Sequence, residues 1–223
     1  MTKASTRTAS ISEDAVAGRL RAAGFELAPA PCATLTAYLE LLAQWNRVFN
    51  LTGIRSREAL VQRHVVESLT LGPLLRGGRV ADVGTGAGLP GIPLAITAPE
   101  REFTLIESRA KRVRFLRHVV SMLGLDNARV EHCRVEDLPS ARPFDTVLAR
   151  AVAPPEELIR IARPLMACGG VLLVLTAAHL GQELRGLAPG LGLRPVAPSA
   201  PSAEGRIRSV IVALERPEPG EPQ

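Results

Sequence analysis

A glycine-rich turn that directly follows a short apolar segment constrains this chain more than any other feature. Residues 79–93 read RVADVGTGAGLPGIP, in which the apolar run carries one acid, Asp82, and then breaks into a series of glycines. Such a run is typical of a buried parallel strand, and the glycines indicate a backbone that approaches a ligand closely. Pro90 and Pro93 suit the first turn of a helix, where a missing N–H costs little. Strand, turn and helix together predict an α/β fold with a nucleotide-type cofactor site.

The acid in front of the turn bears on which cofactor binds there. In a dinucleotide-binding fold the turn presents N–H groups to a pyrophosphate, which a nearby buried carboxylate would repel. A G-x-G-x-x-G pattern runs from Gly86 to Gly91 but begins late, and the register that starts at the strand end has Leu89 where the third glycine is needed. An acid suits the amino and sulfonium groups of S-adenosylmethionine. That cofactor is favoured over two alternatives, a dinucleotide and a turn without any ligand.

Two further acids follow the segments predicted as the next strands. Residues 102–107 are predicted to form a second strand that ends in Glu107, at a spacing typical of an acid that accepts hydrogen bonds from ribose hydroxyls. A third strand over residues 128–135 leads into Glu136. Because the carboxyl ends of parallel strands share one edge of a sheet, Glu136 is expected near Gly84, where the adenine would bind.

Helices are predicted before the glycine motif, and alternating strands and helices after it. The early helices are expected over residues 11–24, over residues 34–49 and from Ser56 onward, with Pro29 and Pro31 breaking the chain between the first two. The later elements are predicted as strand 144–149, helix 156–166, strand 170–175, helix 178–188, and strands 192–196 and 207–214.

This order of elements predicts four parts. They are a disordered tail over residues 1–10, a helical cap over residues 11–76, an S-adenosylmethionine-binding domain over residues 77–215 and a disordered tail over residues 216–223.

Composition excludes several classes of protein. No apolar run approaches the length of a membrane span, and the N-terminal residues lack the continuous apolar core of a secretory signal. Cys32, Cys133 and Cys168 are odd in number and widely spaced, so they predict neither a disulfide framework nor a zinc site and fit buried thiols. We therefore expect a cytoplasmic protein with no membrane partner and no metal.

The formal net charge of +5 favours an anionic partner. Lys111, Arg112 and Arg114 crowd the helix predicted over residues 109–123, and Arg63 and His64 belong to a second basic run before the glycine motif. A solvated face is the ordinary interpretation of either cluster alone, but the two together favour a phosphate-contacting surface beside the cofactor site. With only 3% aromatic residues, RNA would be bound mainly through its backbone and shape.

Five motifs occur in a fixed order along the chain. They are WNxxxNLT from Trp45, RHxxxSL from Arg63, DVGTGAGLPGIPLA from Asp82, KRVRFL from Lys111, and Ala149-Arg150-Ala151. In this order they resemble the RsmG (GidB) family of bacterial small-subunit ribosomal RNA methyltransferases, from about residue 35 to about residue 175. The glycine motif alone indicates only a class I methyltransferase, whereas its GLPGIPLA extension and the two upstream motifs are far more specific.

The resemblance implies a Rossmann-like class I methyltransferase fold, with a seven-stranded, mostly parallel sheet flanked by helices and an N-terminal helical cap. It also implies S-adenosylmethionine as the donor and transfer to guanine N7 in the decoding-region loop of 16S rRNA. The cofactor-binding residues carried over by motif, from the methionine end through the ribose to the adenine and the substrate side, are Asp82, Gly84, Gly86, Leu89, Glu107, Ser108, Arg109, Val135, Glu136 and Arg150.

The reaction that the resemblance implies requires few catalytic groups from the protein. Guanine N7 already carries a lone pair, so its attack on the methyl carbon needs no general base, and alignment of the reacting atoms is sufficient. We therefore assign no catalytic side chain and no metal, with Arg150 as the substrate-facing candidate and an ordinary surface arginine as its alternative. His64 is interpreted as structural or RNA-facing rather than as a base. The RNA-binding candidates are Arg63, His64, Lys111, Arg112 and Arg114.

Two positions depart from the family pattern. Glu67-Ser68 stands where Asp-Ser is common, and Thr176-Ala177 stands where many members have Lys-Gly after the fifth strand. The second departure supports an alternative, a non-catalytic RNA-binding ribosome-assembly factor on a methyltransferase fold. A methyltransferase acting on a small molecule is a third hypothesis, which the basic clusters disfavour. The expected partner is 16S rRNA or the small ribosomal subunit, without DNA, and the chain is expected to be a monomer.

Overall fold

The structure is a computed structural model, and it describes residues 11–54, 56–138, 142–150, 152–197 and 209–220. The predicted tail over residues 1–10, the first two residues of the predicted strand 207–214 and the last three residues of the predicted tail 216–223 lie outside the described residues. So does Ala151 of the last motif.

Seven strands form a single sheet in the order β3-β2-β1-β4-β5-β7-β6. Their bounds are β1 (Arg79–Val83), β2 (Glu102–Ile106), β3 (Ala128–Glu131), β4 (Phe144–Arg150), β5 (Met166–Thr176), β6 (Arg194–Val196) and β7 (Val210–Glu215). Strands β1 to β5 pair in parallel, whereas β7 is antiparallel to both β5 and β6. The predicted Rossmann-like fold with a mostly parallel seven-stranded sheet is confirmed.

Helices precede the sheet and connect its strands. They are α1 (Glu13–Ala22), α2 (Pro29–Phe49), α3 (Arg57–Leu60), α4 (Glu67–Leu69), α5 (Gly91–Thr97), α6 (Ala110–Leu123), α7 (Pro155–Ala162) and α8 (Ala178–Leu187). A π-helical segment, Val61–Val66, joins α3 to α4 in one helical run. None of the helices in the described ranges combines the length and the apolar character that a membrane crossing requires.

Three sequence-based expectations were wrong. Helix α2 begins at Pro29 rather than after Pro31, because both prolines lie in its first turn, where a backbone N–H has no partner within the helix. Strand β3 ends at Glu131, where its partner β2 also ends, so Val135 lies in a following 3₁₀ turn instead of in the strand. Of the three cysteines expected to be buried thiols, Cys32 is buried and Cys133 is partly buried. Cys168 is exposed, because it precedes the part of β5 that pairs continuously with β4 from Val171 onward.

Each face of the sheet carries its own hydrophobic core. Val80 faces a core that includes Leu39 of α2 and Phe115 of α6, whereas the next residue, Ala81, faces the core beneath α7 and α8. This alternation is the period-two pattern of a strand buried on both sides. The N-terminal helices therefore share one core with the sheet. The proposed division at residue 76 into cap and cofactor-binding domain stays a prediction.

An acid at the end of β7 ties the edge of the sheet to the segment before β1. Glu215 accepts hydrogen bonds from Arg76 (Nη1 to Oε2, 2.5 Å) and from Arg194 (Nε to Oε1, 3.0 Å). Arg76 also donates to the carbonyl oxygen of Gly169 at 2.8 Å. Burial acts to raise the pKa of Glu215, but the hydrogen bonds from the two arginines outweigh it and hold the pKa below its ordinary value.

Replacing this acid should weaken the fold in a pH-dependent way. Glu215→Gln leaves two guanidinium groups without their carboxylate, and we expect the free energy of unfolding at pH 7 to fall by about 1–2 kcal/mol. Because the folded-state pKa is lowered, the stabilisation is present above the unfolded-state pKa and is lost as the pH falls through the folded-state value. Urea unfolding at pH 7 and below pH ~4 measures both effects. Glu156→Gln, which removes an exposed ion pair with Arg160, is the control with little effect. Equal stabilities of wild type and Glu215→Gln at pH 7 would contradict this account.

Candidate active site at the carboxyl edge of the sheet

The glycine turn between β1 and α5 needs glycine for two reasons. Gly84, Gly86 and Gly88 have φ angles of 59°, 63° and 89°, a backbone region that other residues rarely adopt. A Cβ at Gly84 would lie 2.7 Å from Cγ1 of Val152, so there is also no room for a side chain. At Gly86 the nearest atoms would be 3.8 Å away, at ordinary contact distance. The turn is therefore packed tightly at Gly84 and open at Gly86.

Asp82 of β1 anchors this turn through hydrogen bonds. Its Oδ2 accepts hydrogen bonds from the hydroxyl of Thr85 (2.5 Å) and from the backbone N–H of Gly91 (2.8 Å). Burial raises the pKa of Asp82 to about 7, although the hydrogen bonds from Thr85 and Gly91 act to lower it. Its Oδ1 is buried and has no hydrogen-bond partner among the described residues. Asp82 thus braces the turn, and direct contact with a cofactor stays a prediction.

Glu107 joins the turn to the start of α6. Its Oε2 accepts from the backbone N–H of Gly86 (3.1 Å) and from Nη1 of Arg112 (3.3 Å), and its Oε1 accepts from the backbone N–H of Arg109 (2.8 Å). The side chain is almost completely buried. A carboxylate oxygen can accept two hydrogen bonds, so Oε1 retains capacity for a ligand hydroxyl.

A cavity of about 190 Å³ lies at this edge of the sheet. Five of the predicted cofactor-binding residues line it, namely Gly84, Glu107, Ser108, Val135 and Glu136. The residues that sequence reasoning did not assign are Val83, Ile106, Cys133, Arg134, Val152, Ala153, Glu157 and Ile161. Val152 and Ala153 come two and three residues after the end of β4, so the edge rule for parallel strands would have found them. Glu157 and Ile161 come from α7, whose placement depends on packing.

The other predicted cofactor residues lie outside the lining of this cavity. Leu89 is buried and belongs to the core on the α2 side of the sheet. Arg109 is exposed in front of α6 and meets Glu107 only through its backbone N–H. Gly86 is held by Glu107, and Asp82 lies beneath the turn.

Arg150 lies in a second cavity of about 460 Å³, which shares Val152 and Ala153 with the first. The remaining residues that line it are Arg63, Pro155, Leu158, Val174, Leu175, Thr176, Ala177, Leu180, Leu184 and Ser209. The two predicted cationic residues therefore line the same cavity, whose surface is polar and apolar in about equal parts, beside the first one. Thr176 and Ala177 line it too.

A buried ion pair supports Arg150 from the helical side. Nη2 of Arg150 lies 3.5 Å from Oε2 of Glu67, which is 1% exposed at the start of α4. Burial lowers the pKa of Arg150, and the charge of Glu67 acts against that shift. The pair connects the last residue of β4 with the helical run before the sheet.

His64 belongs to this buried region and not to the surface. It is 3% exposed, and its Nε2 lies 3.0 Å from Oγ1 of Thr52. Burial, assisted by the charge of Arg150, lowers the pKa of His64 to about 3, so the ring is neutral. The structural interpretation fits this placement, whereas the RNA-facing one does not, because the ring is buried and contacts Thr52.

The upstream motifs support the same region. Asn46 accepts from the backbone N–H of Thr52 (2.8 Å) and donates to the carbonyl oxygen of Ile54 (3.1 Å), which fixes the loop that presents Thr52 to His64. The hydroxyl of Ser68 donates to the carbonyl oxygen of His64 inside the π-helical run. The motif residues Asn46 and Ser68 thus stabilise the local structure around His64.

Tyr38 is a contact that sequence reasoning missed. Its hydroxyl, fully buried, donates to the carbonyl oxygen of Ala87 in the glycine turn at 2.8 Å, and burial raises the pKa of Tyr38. In the sequence Tyr38 is one of several apolar-face residues of α2, and helical periodicity carries no information about a partner in a distant turn.

The remaining RNA-binding candidates lie on α6 and at the second cavity. Lys111 and Arg114 are exposed, whereas Arg112 is partly buried and paired with Glu107. Arg63 is exposed and lines the second cavity. Within the described ranges there is no group of three or more His, Cys, Asp or Glu side chains that could hold a metal ion.

Known proteins resemble this chain along most of its length. The sequence model of the GidB family, rRNA small subunit methyltransferase G, matches residues 31–193. A protein named ribosomal RNA small subunit methyltransferase G from Stenotrophomonas maltophilia (strain K279a) is 42% identical over 194 residues, which cover 86% of this chain and 91% of that protein. Its counterpart from Serratia proteamaculans (strain 568) is 41% identical over 195 residues, which cover 86% and 95%.

Solved structures share the fold. An rRNA methylase from Streptococcus thermophilus superposes with a TM-score of 0.51 at 17% identity, over 68% of this chain and 95% of that chain. An S-adenosylmethionine-dependent O-methyltransferase from Thermotoga maritima superposes with a TM-score of 0.53 at 18% identity, over 70% and 66%. At these identities the likeness concerns architecture alone.

The buried carboxyl group of Asp82 should impose a pH dependence on stability. Its pKa is about 7 in the folded state against an ordinary value of 3.8, so between these values the unfolded chain loses a proton that the folded chain keeps. The free energy of unfolding of the wild type should therefore fall relative to Asp82→Asn as the pH rises from about 4 to about 7, and the difference should then stay constant. Urea unfolding of both proteins across this range tests the sign. Asp126→Asn, at an exposed position, should show no such trend; a pH-independent difference for Asp82→Asn would contradict the assignment.

Removing the hydroxyl of Tyr38 should loosen the glycine turn. Tyr38→Phe leaves the carbonyl oxygen of Ala87 without its donor, at a cost of about 1–3 kcal/mol. We expect amide hydrogen exchange to accelerate within residues 84–91 more than elsewhere, as followed by mass spectrometry. Thr97→Val removes a hydroxyl that donates to carbonyl oxygens of its own helix α5 and is the matched control. Unchanged exchange in the turn would show that Tyr38 does not hold it.

Proposed function

Because this chain belongs to the family of ribosomal RNA small subunit methyltransferase G, we propose that it transfers a methyl group from S-adenosylmethionine to N7 of a guanine in the decoding-region loop of 16S rRNA. The observation that carries the proposal is the pair of adjoining cavities. One is lined by the glycine turn and Glu107, the other by Arg63 and Arg150, and Val152 and Ala153 line both. A donor and an acceptor bound in them would meet at these two residues.

The first cavity suits the donor. The donor supplies a methyl group that is bound to a positively charged sulfur. The turn with Asp82, Gly84, Gly86 and Leu89 would hold the methionine end, and the unpartnered Oδ1 of Asp82 adds an acidic atom beneath it. Glu107 has an unused lone pair for a ribose hydroxyl, with Ser108 and Arg109 beside it.

The adenine end would lie between the segment after β3 and α7. Val135 and Glu136 are the residues proposed to contact the base, and both line the cavity. Val135 supplies an apolar surface and Glu136 an acceptor at the exposed rim. Glu157 lines the opposite side from α7 and adds a second carboxylate for the exocyclic amine.

The second cavity suits an extruded purine base. Its lining combines apolar side chains such as Leu158 and Leu184 with the guanidinium groups of Arg63 and Arg150. Apolar walls accept the faces of a base taken out of its stack, and guanidinium groups recognise its oxygen and the flanking phosphates. Arg150 is thus the substrate-facing residue of the proposal.

No general base is needed at this site. The N7 lone pair attacks the methyl carbon directly, so the protein contributes by holding acceptor and donor nearly in line. His64 fits this chemistry, since it is buried, neutral and engaged with Thr52, and it lines neither cavity. We assign no side chain to proton transfer.

RNA binding would extend from the second cavity to the exposed face of α6. Lys111 and Arg114 are the exposed cationic groups proposed to contact phosphates there, while Arg112 is engaged with Glu107. The proposed partner is 16S rRNA or the small ribosomal subunit in the bacterial cytoplasm, bound by a monomer, without DNA or a membrane.

A non-catalytic ribosome-assembly factor is the second candidate function. Thr176 and Ala177 favour it, because they stand in the acceptor cavity where many family members have a lysine. Arg63 and Arg150 line the same cavity and supply cationic groups there, so the enzyme remains the better proposal. The two candidates differ in whether methylation depends on this chain.

Mass spectrometry of the decoding-region fragment of 16S rRNA decides between them. N7-methylguanine should be present in wild-type cells, absent after deletion and restored by the wild-type gene. Gly84→Ala should fail to restore it, because the φ angle of 59° and the Val152 contact cost at least about tenfold in donor affinity. Gly18→Ala, at an open position on α1, is the matched control and should restore it. Unchanged methylation after deletion would exclude the enzyme, and donor binding without methylation of any RNA would support the assembly factor.

A further inference from the structure

We propose that Glu67 positions Arg150 for methyl transfer, so that the helical segment before the sheet completes the acceptor side of the site. This inference rests on the proposed function. Glu67 lines neither cavity and is 1% exposed, so it has no direct route to a ligand. Its link to the second cavity is the guanidinium group of Arg150, which lies 3.5 Å away and lines that cavity.

The first reason is orientation. The side chain of Arg150 is 19% exposed, and a guanidinium group buried to this extent is costly without a counter-ion. Glu67 approaches Nη2, whereas Nη1 is buried and has no hydrogen-bond partner among the described residues. The ion pair therefore holds the guanidinium group from the side of Glu67. Guanine O6, an acceptor next to N7, is the kind of atom that the exposed part of the guanidinium group would recognise from the cavity.

The second reason is charge. During transfer the S–CH₃ bond breaks with its electron pair remaining on sulfur, the N7–CH₃ bond forms, and the positive charge moves from the sulfonium group to the purine ring. The acceptor cavity already holds Arg63 and Arg150, which would oppose a third positive charge. The carboxylate of Glu67 offsets one of them. Its effect should thus fall on the transfer step rather than on docking of RNA.

Glu67→Gln tests this inference, because it keeps the shape of the side chain and removes its charge. We expect kcat on 16S rRNA substrate to fall about 10- to 100-fold, with KM for RNA and the affinity for S-adenosylhomocysteine changed by less than about threefold. Glu67→Asp keeps a carboxylate and should retain most of kcat. Glu156→Gln removes an exposed acid paired with Arg160 and is the control with wild-type kinetics.

A double-variant cycle separates positioning from general support of the fold. If Glu67 acts through Arg150, then Arg150→Met and the Glu67→Gln/Arg150→Met pair should have the same single-turnover rate, measured with enzyme in excess. The comparison remains informative even where Glu67→Gln alone does not fold. The double variant has no buried guanidinium group at position 150 that would need a counter-ion. A pair clearly slower than Arg150→Met, or wild-type kcat in Glu67→Gln or Arg150→Met, would overturn the inference. Absence of methyl transfer by the wild type would instead overturn the proposed function.

Discussion

The hydrogen bonds from the glycine turn to the buried carboxylate of Asp82 are the interactions on which the site depends. Three glycines in the left-handed region make a loop with little rigidity of its own, so its shape must come from its anchors. Asp82 holds it from β1 below, Glu107 holds Gly86 from the end of β2, and Tyr38 holds Ala87 from α2. Each anchor comes from a different element, and the turn takes the position that satisfies all of them.

The helices that precede the sheet are therefore parts of the site rather than an attachment to it. Helix α2 reaches the donor side through Tyr38, and the run that ends in α4 reaches the acceptor side through the ion pair of Glu67 with Arg150. Trp45 of α2 also packs against Phe115 of α6, with ring centroids 5.5 Å apart, and so connects α2 with the helix that starts beside Glu107. Both cavities depend on contacts between segments far apart in the chain.

Local patterns predicted the parts of this structure that obey local rules. The strand before Gly84 and the acid at Glu107 follow from periodicity and from the geometry of parallel strands, and the sheet confirmed them. Long-range partners were not predictable in this way. The sequence does not reveal that Tyr38 donates to Ala87 or that Glu67 faces Arg150, because each pair is created by packing. The burial of His64 was not predictable either. In the sequence, a histidine next to an arginine indicates a basic surface, whatever direction its ring takes in the structure.

The π-helical segment Val61–Val66 has a consequence for how the chain tolerates changes in length. In it the backbone N–H of Glu67 bonds to the carbonyl oxygen of Gln62, one residue further back than in an α-helix. The wider turn lets Arg63 point outward while His64 and Glu67 both point inward. Loss of one residue here would restore ordinary α-helical hydrogen bonding and leave the residues that follow facing nearly the same way, whereas the same loss in a regular α-helix rotates them by about 100°. The chain can therefore lose one residue within this segment more easily than within the α-helices around it, because the acid that meets Arg150 keeps its direction.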